Sequence, residues 1–312
     1  MTLLFLAACS STAEDTAPVV PTLDPPADGD GFQLAIEGTV GPYEEAWLCE
    51  VYPMPIDETS AVQSIEYLQN EGTHHMTLST PGWTRDHGIA YGQYDCEELY
   101  TESTLMEEAT MFYGNQGAAT GELSLPAGTV ANMPSAIDVV HEIHYVNPTD
   151  QEVPLYSVVN AYTIPQDAIE NMIYGGSVRD EHINIPADDS ATEWTRCVFN
   201  EDVEVLFLAS HTHELGKRFT IAEYDGETVG EPFYENDDWH DPKIIQYETP
   251  IARPAGTGFE FACTWDNPHD VEKNYGLSSE DEMCNMAVVF TPFSLTAACE
   301  VVESSDGVLW EG

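Results

Sequence analysis

Val203-Glu204-Val205-Leu206-Phe207-Leu208-Ala209 runs directly into Ser210-His211-Thr212-His213-Glu214-Leu215-Gly216-Lys217, an apolar run that ends on two histidines. An extended chain sends alternate side chains to one face. On that reading His211 and His213 point the same way and Thr212 points opposite. Two imidazoles on one face are half a metal site, since neutral imidazole is the commonest protein metal ligand. Two hydrogen-bonded surface or core histidines would give the same pattern, so the pair alone assigns nothing.

Composition extends the strand reading outward. The chain of 312 residues holds 20 Pro and 22 Gly, is rich in Val, Thr, Tyr and Phe, and has few amphipathic helical patterns. This predicts an all-β protein. The length suits two domains of about 130 to 150 residues each, so tandem antiparallel sandwiches fit better than one large sheet. With 56 acidic against 8 basic residues the formal charge is −48 at pH 7. Such a surface repels itself, is relieved by salt, and excludes nucleic acid and anionic membrane surfaces as partners.

The first residues, Met1-Thr2-Leu3-Leu4-Phe5-Leu6-Ala7-Ala8-Cys9-Ser10, resemble the end of a bacterial lipoprotein signal, with Leu6-Ala7-Ala8-Cys9 as a lipobox and no preceding Lys or Arg. Residues 1–9 are then a signal segment and Cys9 the lipidated residue of an exported protein. The expected location is the bacterial cell envelope, reached through that lipid anchor, since no segment is long enough to span a membrane. Residues 10–31 have too little apolar content to fold and read as a tether. The chain has 7 cysteines; setting Cys9 apart leaves an even number, which in an oxidising compartment predicts disulfides of open pairing.

Order is expected from Phe32-Gln33-Leu34-Ala35-Ile36, followed by a strand at Ala46–Tyr52 and a loop-rich segment from Pro81 to Tyr113. Further metal candidates appear in Thr73-His74-His75-Met76 and Glu142-Ile143-His144-Tyr145, and a methionine stands in Asp281-Glu282-Met283-Cys284-Asn285. Neighbours on a regular strand face opposite ways, so His74 and His75 share an ion only where the backbone is irregular, which Gly72 permits, or where the ring nitrogens differ. A spacing of three likewise separates His141 from His144. His87, His182, His240 and His269 have no partner at ligand spacing and read as surface or core histidines. Carboxylate pairs carry no signal in so acidic a chain. Ser210 has no oxyanion signature, and no P-loop or dinucleotide fingerprint is present.

His-His-Met, then His-Tyr closing an apolar strand, then His-Thr-His with Leu-Gly-Lys, then Glu-Met-Cys-Asn resemble, in this order from about Trp47 to Cys299, the copper type II ascorbate-dependent monooxygenases. The resemblance implies two tandem jelly-roll-like β-sandwiches, which the ordered start at Phe32 and a boundary near Pro165 set at 32–165 and 166–303, before a tail at 304–312. It implies two copper ions, one on His74, His75 and His144 and one on His211, His213 and Met283. The methionine site would bind O2 and break a substrate C–H bond, the all-histidine site would store and deliver an electron, and an open cleft would separate them. Ascorbate or another one-electron donor would be the reductant, a small organic molecule the substrate, and a monomer the working unit. The implied disulfides are Cys49–Cys96, Cys197–Cys299 and Cys263–Cys284. Thioether favours Cu(I), whereas zinc, which also takes three histidines, has little use for it.

The sequence departs from the peptide-amidating members in the substrate pocket. Asn285 is kept, but an Arg and a Tyr are replaced by Ala209 and Ala287, and the cations nearest in sequence are Lys217 and Arg218. Losing a guanidinium removes bidentate carboxylate recognition, which argues against peptide amidation. The rival expectations are a non-catalytic copper-binding lipoprotein and a structural β-sandwich whose histidines are incidental.

Overall fold

The computed structural model describes residues 21–82, 85–102, 109–276, 280–294 and 296–307. The lipidation residue Cys9, the signal segment, residues 10–20 of the tether and residues 308–312 of the tail lie outside the described residues. What is described is nearly all β, in several antiparallel sheets.

In the N-terminal half one sheet runs in the order Gly92–Asp95, Glu45–Pro53, Asp138–Val146, Thr73–Thr80, Thr110–Gly117. The other runs Gly31–Val40, Val153–Thr163, Ser60–Gln69, Thr129–Met133, Asn171–Met172, with Thr120–Ser124 also paired to Ser60–Gln69. Asn171–Met172 joins Thr129–Met133 in parallel; the other pairings in these sheets are antiparallel. The two sheets meet over one core, Phe32, Leu34, Val62 and Val159 from one side and Met76, Leu78 and Val139 from the other. Burying each such side chain contributes about 1.5–3 kcal/mol.

The strand Asp138–Val146 is buried on both faces along nearly its whole length, which explains why it reads as a continuous rather than an alternating pattern. Its second face is covered by Cys49, Val51, Cys96 and Leu99. Cys96 and Leu99 lie on the helix Cys96–Glu102, inside the segment expected to be loop, and Asp95 Oδ1 accepts from the backbone N–H of Glu97 at 2.9 Å. The short helix owes its place to the Cys49–Cys96 disulfide and to that apolar cover rather than to propensity, which is why sequence periodicity misses it.

In the C-terminal half one sheet runs Tyr174–Arg179, Asn285–Thr291, Val203–His211, Ile245–Arg253. It packs on a second, Val229–Asn236, Gly216–Tyr224, Gly258–Asn267, Asp189–Phe199, Cys299–Ser304. In Gly258–Asn267 the alternate residues Phe259, Phe261, Cys263 and Trp265 are fully buried, the period of two that a strand imposes. Disulfides join Cys197 to Cys299 and Cys263 to Cys284, so the three bridges form the set implied by the resemblance. They fit an exported protein. Among the described residues no helix is long and apolar enough to cross a membrane.

His141 is a core histidine. It is fully buried, with Nδ1 3.0 Å from the Tyr52 hydroxyl and Nε2 3.0 Å from Ser157 Oγ. Burial pushes its pKa down to about 3, against a weaker upward pull from Glu142. The unfolded chain therefore takes up the proton first, at about pH 6.5. Its stabilisation is complete above that pH and is lost as pH falls from there toward 3, by about 1.4 kcal/mol per pH unit. Denaturant titrations at pH 7, 6 and 5 should give a shallower loss for His141→Gln than for the parent; an unchanged slope would assign the acid sensitivity elsewhere.

Candidate metal centres

His74 and His75 come together on one side because the strand is irregular where they stand. Gly72 sits at φ 79°, and the register against Thr110–Gly117 slips between Thr73 and Met76. On the other edge His75 is directly opposite His144. The three rings lie 4.9–5.1 Å apart by centroid, and one nitrogen from each falls within 4.8 Å of the others.

Hydrogen bonds decide which nitrogens are free. His75 Nε2 donates to Glu142 Oε1 at 2.5 Å and His144 Nε2 donates to Glu45 Oε1 at 2.5 Å, so each presents a bare Nδ1. His74 Nδ1 and His144 Nδ1 are 3.0 Å apart. Metal–nitrogen bonds of about 2.0 Å, at angles between square and tetrahedral, put ligand nitrogens about 2.8–3.3 Å apart. The donor set therefore fits a metal ion.

Glu142 is buried under this cluster. Besides His75 it accepts from Trp47 Nε1 at 2.7 Å, Tyr100 OH at 2.7 Å and Thr77 Oγ1 at 3.0 Å. Burial alone would raise its pKa, but the hydrogen bond and charge of His75, then the bonds from Tyr100 and Trp47, hold it well below the usual carboxylate range. Burial pushes His74 down to about 3, helped by the neighbouring histidines, and lowers His144 against the opposing pull of Glu45. Both are neutral, as metal ligands must be.

The second cluster forms where Val203–His211 ends. The strand stops at His211, so His213 stands in the turn beyond it instead of completing an extended alternation. The rings still meet edge to face, 5.2 Å apart. Glu282 holds the turn: its carboxylate accepts from the backbone N–H of Leu215 at 2.7 Å, His213 at 3.0 Å and Met283 at 3.2 Å, and from Trp265 Nε1 at 3.1 Å. One buried side chain thus fixes both the His-x-His turn and the residue bearing the thioether. His213 Nδ1 donates to the Asp281 carbonyl at 3.0 Å, leaving Nε2 bare.

Met283 is buried, with Asn285 Nδ2 3.2 Å from its sulfur. Asn285 is the cross-strand partner of His211, so one side chain neighbours both the thioether and the strand position of that imidazole. Two imidazoles and a soft sulfur fit copper. Burial drives His211 down to about 3, with His213, then His75 and His74, adding to the shift. The two clusters are thus close enough to repel each other when protonated.

Arg179, Asn285 and His211 oppose one another across three adjacent strands, and Ala209 opposes Ala287 two residues along. Residues so placed share one face. The cation on this face is Arg179, not Lys217 or Arg218 as sequence proximity suggested; Arg218 is bound to Glu235. Arg179 makes a loose pair with Glu181 at 3.8 Å. The side-chain Oδ1 of Asn285 is buried without a partner among the described residues.

Of the histidines set aside, His87 is buried and donates to Asp138 Oδ2 at 2.6 Å, a structural role. His240 stacks on Trp239 at 3.7 Å, and both rings approach His74 edge-on, at 6.2 and 5.6 Å. His240 is outside the ligand cluster, yet it is a neighbour of the centre that no sequence spacing could reveal.

Residues 171–311 match the model of the copper type II ascorbate-dependent monooxygenase C-terminal domain. The chain is also 22% identical over 290 residues to peptidyl-glycine alpha-amidating monooxygenase A of Xenopus laevis, covering 86% of this chain and 29% of the relative. It therefore spans less than a third of that protein's length. These likenesses support copper and oxidoreductase chemistry of this general kind.

Proposed function

We propose, on the premise that this chain belongs through its C-terminal half to the copper type II ascorbate-dependent monooxygenase family, that it hydroxylates a C–H bond of a small organic substrate. O2 would be the oxidant and an external one-electron donor such as ascorbate the reductant. The observation that carries this reading is the cluster of three imidazoles in one half; a second imidazole pair in the other half, with a thioether held by the cross-strand neighbour of one of them, supports an unlike donor set there. Copper would supply electron storage at the first and oxygen activation at the second.

The chain's own residues divide the remaining work. Glu142 and Glu45 orient His75 and His144, and Glu282 orients His213 and Met283. Asn285 and Arg179 line the face beside His211, where Ala209 and Ala287 leave room. A half-exposed guanidinium facing an otherwise acidic protein favours a substrate with an anionic group, met from a different strand than in the peptide-amidating members. The folding units in this reading are jelly-roll-like sandwiches at 32–165 and 166–303, with Asn171–Met172 as the strand that crosses back. Lipidation at Cys9 would tether the monomer to the envelope of a bacterium.

Ascorbate-driven oxygen uptake and alcohol formation test the reading on a panel of carboxylic acids, each paired with its primary amide. A charge-assisted pair is worth about 1.5–3 kcal/mol, so acids should outperform their amides by at least roughly tenfold in kcat/KM. Copper bound without uptake across the panel would favour a storage protein instead.

A further inference from the structure

We infer that Glu142 is a positioning residue that sets the redox balance between the two centres: its buried carboxylate, bonded to His75, holds the first centre toward Cu(II) and so makes it the electron donor. The inference rests on the two-copper reading above and deepens it, because that reading names the direction of electron flow without a cause.

Every group that Glu142 meets in the hydrogen-bonding pattern donates. Trp47 Nε1–H can only donate, and the hydroxyls of Tyr100 and Thr77 point at the second oxygen while His75 shares the first. An environment made only of donors suits a carboxylate anion, which can only accept. A carboxylate on the far nitrogen of a ligating imidazole raises the basicity of the near one. The more basic nitrogen stabilises the more highly charged metal ion, so Cu(II) gains over Cu(I).

Among the described residues the same device is weaker at His144 and absent at His213. Glu45 touches His144 but its side chain is 61% exposed, whereas that of Glu142 is 5% exposed, and water screens the former. At the second centre His213 Nδ1 bonds a neutral carbonyl, and the nearby carboxylate of Glu282 is taken up by backbone N–H groups and Trp265. With its thioether, that centre favours Cu(I). With copper held at both centres, an electron would be favoured at the second over the first, and ascorbate or a similar one-electron donor would re-reduce the first.

The test is an EPR-monitored redox titration of the full chain carrying His211→Ala and His213→Ala, so that only the first centre reports. Glu142→Gln keeps the shape and removes the charge; it should raise the midpoint potential and weaken Cu(II) binding by about 10–100-fold, with Cu(I) binding little changed. Tyr100→Phe removes a donor from Glu142, concentrates its charge toward His75, and should shift the potential the opposite way. A general loosening of the site would move both variants together. An unmoved potential in Glu142→Gln, or shifts of the same sign in the two variants, would overturn the inference while leaving the copper reading intact. Failure of the parent first centre to bind copper at all would overturn both.

Discussion

Met283→Ile is expected to lower substrate-coupled oxygen uptake by at least about 100-fold, equivalent to more than about 2.7 kcal/mol of transition-state stabilisation, while copper stays at His74, His75 and His144. Isoleucine has nearly the volume of methionine, so the substitution should cost less than about 1.5 kcal/mol of stability. What it removes is the sulfur. Met283 is buried with its sulfur against Asn285 Nδ2, Asn285 is the cross-strand partner of His211, and the nearby Cys263 and Cys284 are joined to each other and offer no free thiolate. Parallel copper analysis and oxygen-electrode rates check the result. Unchanged turnover would remove the thioether from the chemistry.

Cys263→Ala with Cys284→Ala is the second large effect. The bridge closes a separation of 21 residues, and its loss should cost about 3 kcal/mol through the unfolded chain. Cys284 is also the direct neighbour of Met283, and Glu282 on the other side clamps the His213 turn. The variant should therefore lose copper from the His211, His213 and Met283 centre before it unfolds, with the other centre still loaded. Denaturant titration together with copper retention on dilution resolves the order. Simultaneous loss of both ions would mean that the bridge acts on the whole fold.

The β class was readable because strands such as Gly258–Asn267 bury every second residue. The histidine motifs were readable because few residue types can ligate copper. The means by which those motifs become sites was hidden. The slip at His74 and His75 depends on a register set by a strand about 40 residues away. His213 leaves its strand and is held by Glu282, 69 positions distant. Glu142, Glu45 and Glu282 were indistinguishable in sequence among 56 acidic residues; only burial and converging donors single out Glu142 and Glu282. Arg179 and the Trp239–His240 pair reach the centres through sheet order and a turn, which carry no local signature.

The most direct measurement is copper stoichiometry on the reconstituted chain, with X-ray absorption on the Cu(I) form. Two copper ions per chain are expected, with sulfur scattering from one of them, and one ion without sulfur scattering after His211→Ala and His213→Ala. A single ion, or two ions both surrounded only by nitrogen and oxygen, would contradict the two-copper reading.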